Sequence, residues 1–165
     1  MVGTTADFRE FGPRPSLPIN HLLCENRRTV GRIGEDGFKL RGMSDQLEGS
    51  CLCGAVRFLA TGQPESVVWC HCESCRKHTG APVSVFVAFK RDAYVVTEGQ
   101  ITKFNSSPGR WRGFCASCGS TLTCESERLP NETHFHVGAF RDAAQLQPTR
   151  HIFPEERLPW LHLGA

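Results

Sequence analysis

The sequence of residues 49–58 is GSCLCGAVRF, and that of residues 113–122 is GFCASCGSTL. Each stretch holds two cysteines separated by one or two residues, and a glycine directly follows the second cysteine. In such knuckles the backbone amides turn toward the thiolate sulfurs, and the glycine permits the tight turn. Four thiolates satisfy a tetrahedral zinc ion, so we predict a closed, structural zinc site. Its ligands are Cys51, Cys53, Cys115 and Cys118. The alternative is that these are buried free thiols or disulfides.

A third group of cysteines has a different pattern, Cys70-His71-Cys72-x-x-Cys75, with no glycine after the last cysteine. Three thiolates leave one coordination position of a zinc ion open, and an open position separates catalytic from structural zinc. A thiol that binds there has its pKa lowered and becomes a better nucleophile. Arg76 and Lys77 follow directly, and their charges would offset the thiolates and attract an anionic ligand.

The alternative for this third group is a site closed by a fourth protein ligand: His71, His78, Cys124 or a histidine near the C-terminus. In a strand, His71 would point away from the cysteines on either side of it, which favours a supporting role beside the metal. Cys124 ends a predicted strand and is interpreted as a small buried residue. His134 and His136 share one strand face and are interpreted as a packed or solvated pair.

From Ser50 onward the chain predicts short strands at near-regular spacing, separated by turns rich in glycine and proline. The candidate strands are Ala55–Ala60, Val67–Cys70, Val83–Phe89, Tyr94–Thr97, Ile101–Asn105, Arg110–Phe114, Thr121–Cys124 and His134–Val137. Helix signals are weak, with a turn or two after Glu73 and another at Asp142–Gln147. The aromatic residues expected in the core, one of which could also wall the zinc cleft, are Phe86, Phe89, Trp111, Phe114 and Phe140. The fold class is therefore mostly β, built from short antiparallel strands.

Length and composition indicate a single soluble domain. The chain has 165 residues, 39% of them hydrophobic and 22% charged, with a formal net charge of +2. The longest nearly unbroken apolar run, Val83–Phe89, is far shorter than the roughly 20 residues of a membrane helix. We expect no membrane association and, without a visible export signal, a cytoplasmic protein. Nine cysteines at tight spacing in a reducing compartment favour metal binding over disulfides.

Charge and composition divide the chain near residue 42. Residues 1–42 carry seven basic and five acidic side chains, while the remainder carries twelve of each. The excess positive charge thus lies outside the part predicted to fold, and we expect no nucleic-acid partner. Residues 1–42 are predicted to be an irregular or disordered extension, and residues 43–165 a single zinc-binding domain. A sharper hypothesis is that Met43 is the true start of the protein.

The three cysteine motifs, in this order and at these distances, resemble the glutathione-dependent formaldehyde-activating enzyme family, which also contains centromere protein V. The stretches that carry the resemblance are GSCLCGAVRF, CHCESCRKHTGAPVSVFVAF, GFCASCGSTL and the tail VGAFRDAAQLQPTRHIFPEERLPW. The match extends from about Glu48 to Trp160 and leaves out the N-terminal extension.

The resemblance implies an all-β zinc fold, similar to that shared by Rab-exchange-factor-like zinc proteins and type B methionine sulfoxide reductases. It also implies two zinc ions, one structural at the knuckle cysteines and one catalytic at Cys70, Cys72 and Cys75. The family's named activity is that of a carbon–sulfur lyase that forms S-(hydroxymethyl)glutathione from glutathione and formaldehyde. The partners expected from it are therefore a small-molecule thiol such as glutathione and a small aldehyde.

Three further residues are candidate catalytic groups, on chemistry rather than on any family motif. Arg76 and Lys77 could pair with the carboxylates of glutathione or balance the charge of the site. His71, or alternatively His78, could protonate the developing alkoxide.

Two other functions compete with this lyase hypothesis. A non-enzymatic, zinc-stabilised binding module would be favoured by a basic tail. A redox enzyme would need a nucleophilic cysteine outside the zinc sets, for which Cys124 is the candidate within the domain, without a reductase signature around it.

Overall fold

The computed structural model describes residues 45–163. The predictions for residues 1–42 and for Met43 as the start lie outside the described residues. The described segment contains ten strands and one α-helix. In chain order these are β1 (Gln46–Ser50), β2 (Arg57–Thr61), β3 (Ser66–Cys70), α1 (Glu73–Thr79), β4 (Ser84–Lys90), β5 (Tyr94–Glu98), β6 (Thr102–Ser107), β7 (Arg110–Phe114), β8 (Thr121–Ser126), β9 (Glu132–His136) and β10 (Arg150–Ile152). Short 3-10 turns at Val137–Ala139, Ala143–Gln145 and Pro154–Glu156 complete the described part.

The strands form two sheets. The smaller has the order β1-β2-β5, and the larger has the order β10-β3-β4-β9-β8-β7-β6. Neighbouring strands pair antiparallel, except that β10 runs parallel to β3 at the edge of the larger sheet. The expected mostly β fold of short antiparallel strands is confirmed.

The main core lies between the two sheets. Phe58 of the smaller sheet stacks on Phe135 of the larger one, with ring centroids 4.4 Å apart, and meets Phe140 edge-on at 5.3 Å. Leu47, Val87 and Phe89 complete the same buried cluster. Each such side chain contributes about 1.5–3 kcal/mol by leaving water. The core therefore fixes the two sheets to each other, and with them the hairpin tips that they carry.

The opposite face of the larger sheet holds a second, smaller apolar cluster. Because side chains alternate along a strand, Val68, Cys70 and Phe86 point away from the main core. They pack with Cys75 of α1 and Cys124 of β8. This face carries the cysteines of the third sequence motif and positions the candidate site.

The predicted strands agree with the structure, which adds two that are not among the candidates, β1 and β10. The predicted helical turn or two after Glu73 is confirmed as α1, a helix of seven residues. The prediction that Trp111 lies in the core is wrong, because its side chain is 41% exposed on the outside of β7. Phe89 and Phe140 are core residues as predicted. Within residues 45–163, no helix has the length and apolar character needed to cross a bilayer.

Candidate functional site

The first cysteine cluster joins the tips of two hairpins, one from each sheet. Cys51 and Cys53 lie in the turn between β1 and β2, and Cys115 and Cys118 lie in the turn between β7 and β8. The four sulfur atoms all lie within 4.8 Å of one another. The structure thus brings together the two knuckles that the sequence predicts as one site.

Both turns have the glycine-dependent geometry expected of knuckles. Gly54 and Gly119 have φ angles of 78° and 72°, in the left-handed region that glycine adopts without strain. The amide of Val56 donates to the sulfur of Cys51 at 3.2 Å. The hydroxyl of Ser120 donates to the sulfur of Cys118 at 3.2 Å and, with the Ser120 amide, lowers the pKa of that thiol to about 5. These donors favour thiolates, which are the metal-binding form.

The dimensions of this first cluster fit a metal ion. A tetrahedral site with metal–sulfur bonds of about 2.3 Å places its sulfurs roughly 3.8 Å apart. The observed separations are 3.5 Å between Cys51 and Cys53 and 3.9 Å between Cys53 and Cys115. A complete set of four thiols is typical of a closed, structural site.

The second cysteine cluster forms where β3 passes into α1. Cys70 ends β3, Cys72 is the N-cap of α1, and Cys75 lies in the first turn of the helix. The sulfur of Cys72 lies 3.6 Å from that of Cys70 and accepts a hydrogen bond from the Cys75 amide at 3.3 Å. Because Cys70 and then Cys75 donate to it, the pKa of the Cys72 thiol falls far below its ordinary value. The three sulfurs lie within 4.8 Å of one another, a spacing that also fits a soft metal ion.

In the part of the chain that the structure describes, no fourth histidine, cysteine, aspartate or glutamate joins the second cluster. The alternative ligands His71, His78 and Cys124 all lie outside it. The ring of His71 is fully buried, and its Nε2 lies 2.8 Å from Nδ1 of His151. Burial lowers the pKa of His71 and favours the neutral ring. The second cluster therefore differs from the first in offering an incomplete set of ligands.

A cavity of about 670 Å³ opens beside this incomplete cluster. Its lining includes all three cysteines of the cluster, together with apolar, basic and imidazole side chains. Other lining residues include Phe86, Arg110, Arg112, Cys124, Arg128, His134, His151, Ile152, Phe153 and Glu156. The volume lies in the range of small-molecule sites, which are about 300–1,000 Å³. Three guanidinium groups against one carboxylate suit an anionic ligand.

Arg112 is a residue of the candidate site that the sequence analysis missed. Its side chain is only 4% exposed, and its two terminal nitrogens lie 3.8 and 4.0 Å from the sulfur of Cys75. Its Nε donates to the hydroxyl of Ser106 at 3.1 Å, which holds the guanidinium in place. A buried cation beside three thiolates stabilises their charge. The available signal was the alternation of Arg110 and Arg112 on one face of a predicted strand.

The three residues predicted to be catalytic are not among the residues that line the cavity. Arg76 donates through Nη1 to the carbonyl oxygens of His71 and Glu156, the latter at 2.7 Å. Lys77 is exposed and lies 2.9 Å from a carboxylate oxygen of Glu73. Within residues 45–163, the groups that line the cavity include none of His71, Arg76 and Lys77.

The histidines of β9 lie outside both cysteine clusters, in agreement with their interpretation as a packed or solvated pair rather than metal ligands. The ring of His136 packs against Phe86 at a tilt of 46°, with ring centroids 4.6 Å apart, and lies near His78. Its burial, with smaller effects of His78 and Arg112, lowers the pKa of His136 to about 4. Nε2 of His134 lies 2.9 Å from a carboxylate oxygen of Glu132. Of the predicted core aromatics, Phe86 is the one that walls the cavity.

Comparison with known proteins agrees with these motifs. Residues 46–156 match the family described as glutathione-dependent formaldehyde-activating enzyme. A Halomonas elongata protein that carries this name provisionally is 32% identical over 129 residues, covering 72% of this chain and 82% of that protein. An uncharacterized lyase of Schizosaccharomyces pombe is 34% identical over 77 residues, covering 47% of this chain and 56% of that protein.

A solved structure supports the fold alone. The crystal structure of a Rhodobacter sphaeroides protein aligns with a TM-score of 0.50 at 20% sequence identity, covering 64% of this chain and 99% of that chain. The family match spans all three cysteine motifs and both clusters that they form. This chain therefore belongs to the glutathione-dependent formaldehyde-activating enzyme family.

Proposed function

We propose that this protein is a zinc-dependent carbon–sulfur lyase that joins glutathione and formaldehyde to give S-(hydroxymethyl)glutathione. The observation that carries the proposal is the three-thiol cluster, which has no fourth ligand among residues 45–163 and faces a basic cavity. The first cluster would hold a structural zinc ion and the second a catalytic one. A cytoplasmic location is part of the proposal, because a reducing compartment keeps the ligand thiols free.

The donor sets suit zinc, since thiolates at these separations match a tetrahedral soft-metal site. When bound at Cys70, Cys72 and Cys75, zinc would supply a Lewis acid that favours the thiolate form of a substrate thiol. Arg112 would then offset the surplus negative charge of the three protein thiolates from its position beside Cys75. The same charge balance explains why a buried arginine with no carboxylate partner among residues 45–163 is tolerated there.

The remaining basic groups of the cavity would bind the substrate. Glutathione carries two carboxylates and one ammonium group, so its net charge is negative and its carboxylates suit guanidinium groups. Arg110 and Arg128 line the cavity and are our candidates for this contact. Holding the thiol and the aldehyde side by side makes the addition effectively unimolecular.

The addition forms one sulfur–carbon bond, and the electron pair of the carbonyl π bond moves to oxygen, which takes up a proton. His151 lines the cavity, and its Nδ1 is engaged by the buried ring of His71. We assign proton delivery to His151 and orientation of its ring to His71. Arg76 would act on position, because it joins α1 to the segment that carries His151.

The proposal is tested by Cys72→Ser, with Cys124→Ser as the matched control that alters a cavity thiol outside the cluster. Zinc is measured by elemental analysis, and adduct formation from glutathione and formaldehyde is measured by NMR exchange spectroscopy against the uncatalysed rate. Cys72→Ser should lose half of its zinc and fall to the uncatalysed rate, while Cys124→Ser keeps both. Normal turnover in a Cys72→Ser protein with half the zinc would contradict the mechanism. Zinc and glutathione binding without any turnover in the wild type would instead favour the non-enzymatic module.

A further inference from the structure

One residue of the described chain has a backbone conformation that its own side chain disfavours. Phe153 lies between β10 and the turn Pro154–Glu156, with φ 54° and ψ 48° in the left-handed region. The other positive φ angles within residues 45–163 belong to glycines, namely Gly54, Gly62, Gly80, Gly99, Gly109 and Gly119. A residue with a Cβ is strained in this region, since Cβ approaches the following carbonyl oxygen. At position 153 the chain thus accepts a strain that the rest of the described segment avoids by using glycine.

The surrounding turn fixes this conformation. The carbonyl of Ile152 accepts a hydrogen bond from the His71 amide at 3.1 Å, and the carbonyl of Phe153 accepts one from the Glu156 amide at 3.1 Å. Pro154 disfavours the right-handed helical region for the residue before it. The backbone is therefore determined by its neighbours, and glycine at position 153 would satisfy the same turn with less strain.

Packing does not explain the phenylalanine either. A strained residue is retained where its side chain fills the core, but the ring of Phe153 is 44% exposed. It lines the cavity that holds the second cysteine cluster, as do the two preceding residues, His151 and Ile152. The ring thus presents a large apolar face to the open space of the candidate site, where a ligand would cover it.

We propose that Phe153 is a ligand-contacting residue that selects a peptide thiol over a small thiol, an inference that rests on the proposed function. The cavity supplies cations for carboxylates, while Phe153 and Phe86 supply the apolar surface that flat amide groups and methylenes pack against. A small thiol such as 2-mercaptoethanol could reach the cluster but has no peptide part to cover the ring. The strained backbone at position 153 is then retained because it positions the ring to contact the ligand.

The test compares Phe153→Gly with Phe153→Leu, and uses Trp160→Gly as the matched control. Trp160 is an exposed aromatic residue seven positions later and lies outside the cavity lining. Glutathione affinity of the zinc-loaded proteins is measured by calorimetry without formaldehyde, alongside thermal melting and KM for glutathione and for 2-mercaptoethanol. Phe153→Gly should weaken glutathione binding about tenfold, the size of one aromatic contact, while its melting temperature stays level or rises.

The two Phe153 variants separate the ring from the backbone. Phe153→Leu should lose affinity as Phe153→Gly does but gain no thermal stability, because leucine keeps the strain. The KM for 2-mercaptoethanol should stay within twofold of the wild type in both Phe153 variants. The glutathione affinity and both KM values of Trp160→Gly should also stay within twofold of the wild type. Glutathione affinity within twofold of the wild type in both Phe153 variants overturns the inference alone. A wild-type protein that neither binds glutathione nor accelerates adduct formation overturns the proposed function, and this inference with it.

Discussion

The two cysteine clusters use the same ligand chemistry in opposite surroundings. The first lies at the tips of two hairpins from different sheets and has four thiols. The second lies within one continuous segment, at the junction of β3 and α1, and has three thiols beside a cavity of about 670 Å³. A metal ion held by ligands from distant segments would link those segments and stabilise the fold. A metal ion held by ligands of one segment, already positioned by a strand and a helix, would be available for chemistry.

The two clusters also differ in the charge of the groups that contact their thiols. Around the first cluster the thiols are met by backbone amides and the hydroxyl of Ser120. Around the second, the buried guanidinium of Arg112 faces the sulfur of Cys75. Neutral donors suffice where four thiolates and a divalent cation form a closed unit, whereas a site that also takes an anionic substrate gains from a full positive charge.

The largest effect is expected from removing a cysteine of the first cluster. Cys115→Ser removes a ligand that joins the two sheets, and in small zinc domains metal binding contributes about 10–16 kcal/mol to folding. Since domains are stable by only about 5–15 kcal/mol, Cys115→Ser should lose its cooperative thermal transition in circular dichroism. Cys72→Ser should keep that transition.

If Cys115→Ser fails to accumulate, the wild-type protein provides an independent test of whether metal at the first cluster stabilises the fold. In a chelator titration, the first zinc ion released should leave the circular dichroism spectrum unchanged, and the loss of the second should coincide with unfolding. Unfolding in step with the first zinc ion released would refute the division into structural and catalytic sites.

Removal of the buried cation should act on the second cluster alone. Arg112→Met leaves the charge of the three thiolates uncompensated, and changes in the groups around metal ligands typically lower metal affinity by about 10–100-fold. We expect a decrease at the upper end of that range for one of two zinc ions, measured by competition with a chromophoric chelator. Arg110→Met is the control, because Arg110 lies near Cys124 rather than the cluster. Equal zinc affinities of Arg112→Met and the wild type would refute this electrostatic role.

The cysteine clusters could be predicted because their information is local. In the first cluster, two thiols separated by one or two residues and followed by glycine specify a turn, and the same turns appear in the structure. His71 lies outside the cluster, as expected from the sequence, although it follows the end of β3 rather than lying within a strand. These inferences require only the geometry of a few consecutive residues.

The surroundings of the second cluster could not be predicted because they depend on pairing between distant segments. Arg112 reaches Cys75 across 37 positions of sequence, once β7 takes its place in the larger sheet. His151 meets His71 because β10 adds in parallel to β3. Strand β1 escaped prediction since its buried Gly49, which leaves room for the ring of Phe58, is a weak strand signal.

Acid should destabilise the folded protein through His136. Its pKa in the folded protein is about 4, whereas an unfolded histidine titrates near 6.5, so below that pH the unfolded chain binds a proton that the folded chain does not. Stability should therefore fall with pH, by roughly 2 kcal/mol between pH 7 and 5 from this residue. In urea unfolding, His136→Gln should lose less stability over this range than the wild type, because glutamine does not take up a proton. Metal release in acid affects both proteins and therefore cancels in the comparison. Equal losses would show that His136 is not held neutral by the fold.

The smallest effect is expected at Lys77, which the sequence marked as a candidate catalytic residue. Its ammonium group is exposed and pairs with Glu73 on the surface of α1, and exposed pairs of this kind add little to stability. Lys77→Met should therefore keep glutathione affinity and turnover within about twofold of the wild type. Arg76→Met should reduce turnover more, because Arg76 joins α1 to the segment of His151 and Phe153. A larger loss in Lys77→Met than in Arg76→Met would restore Lys77 as a substrate-binding group and place part of the ligand outside the cavity.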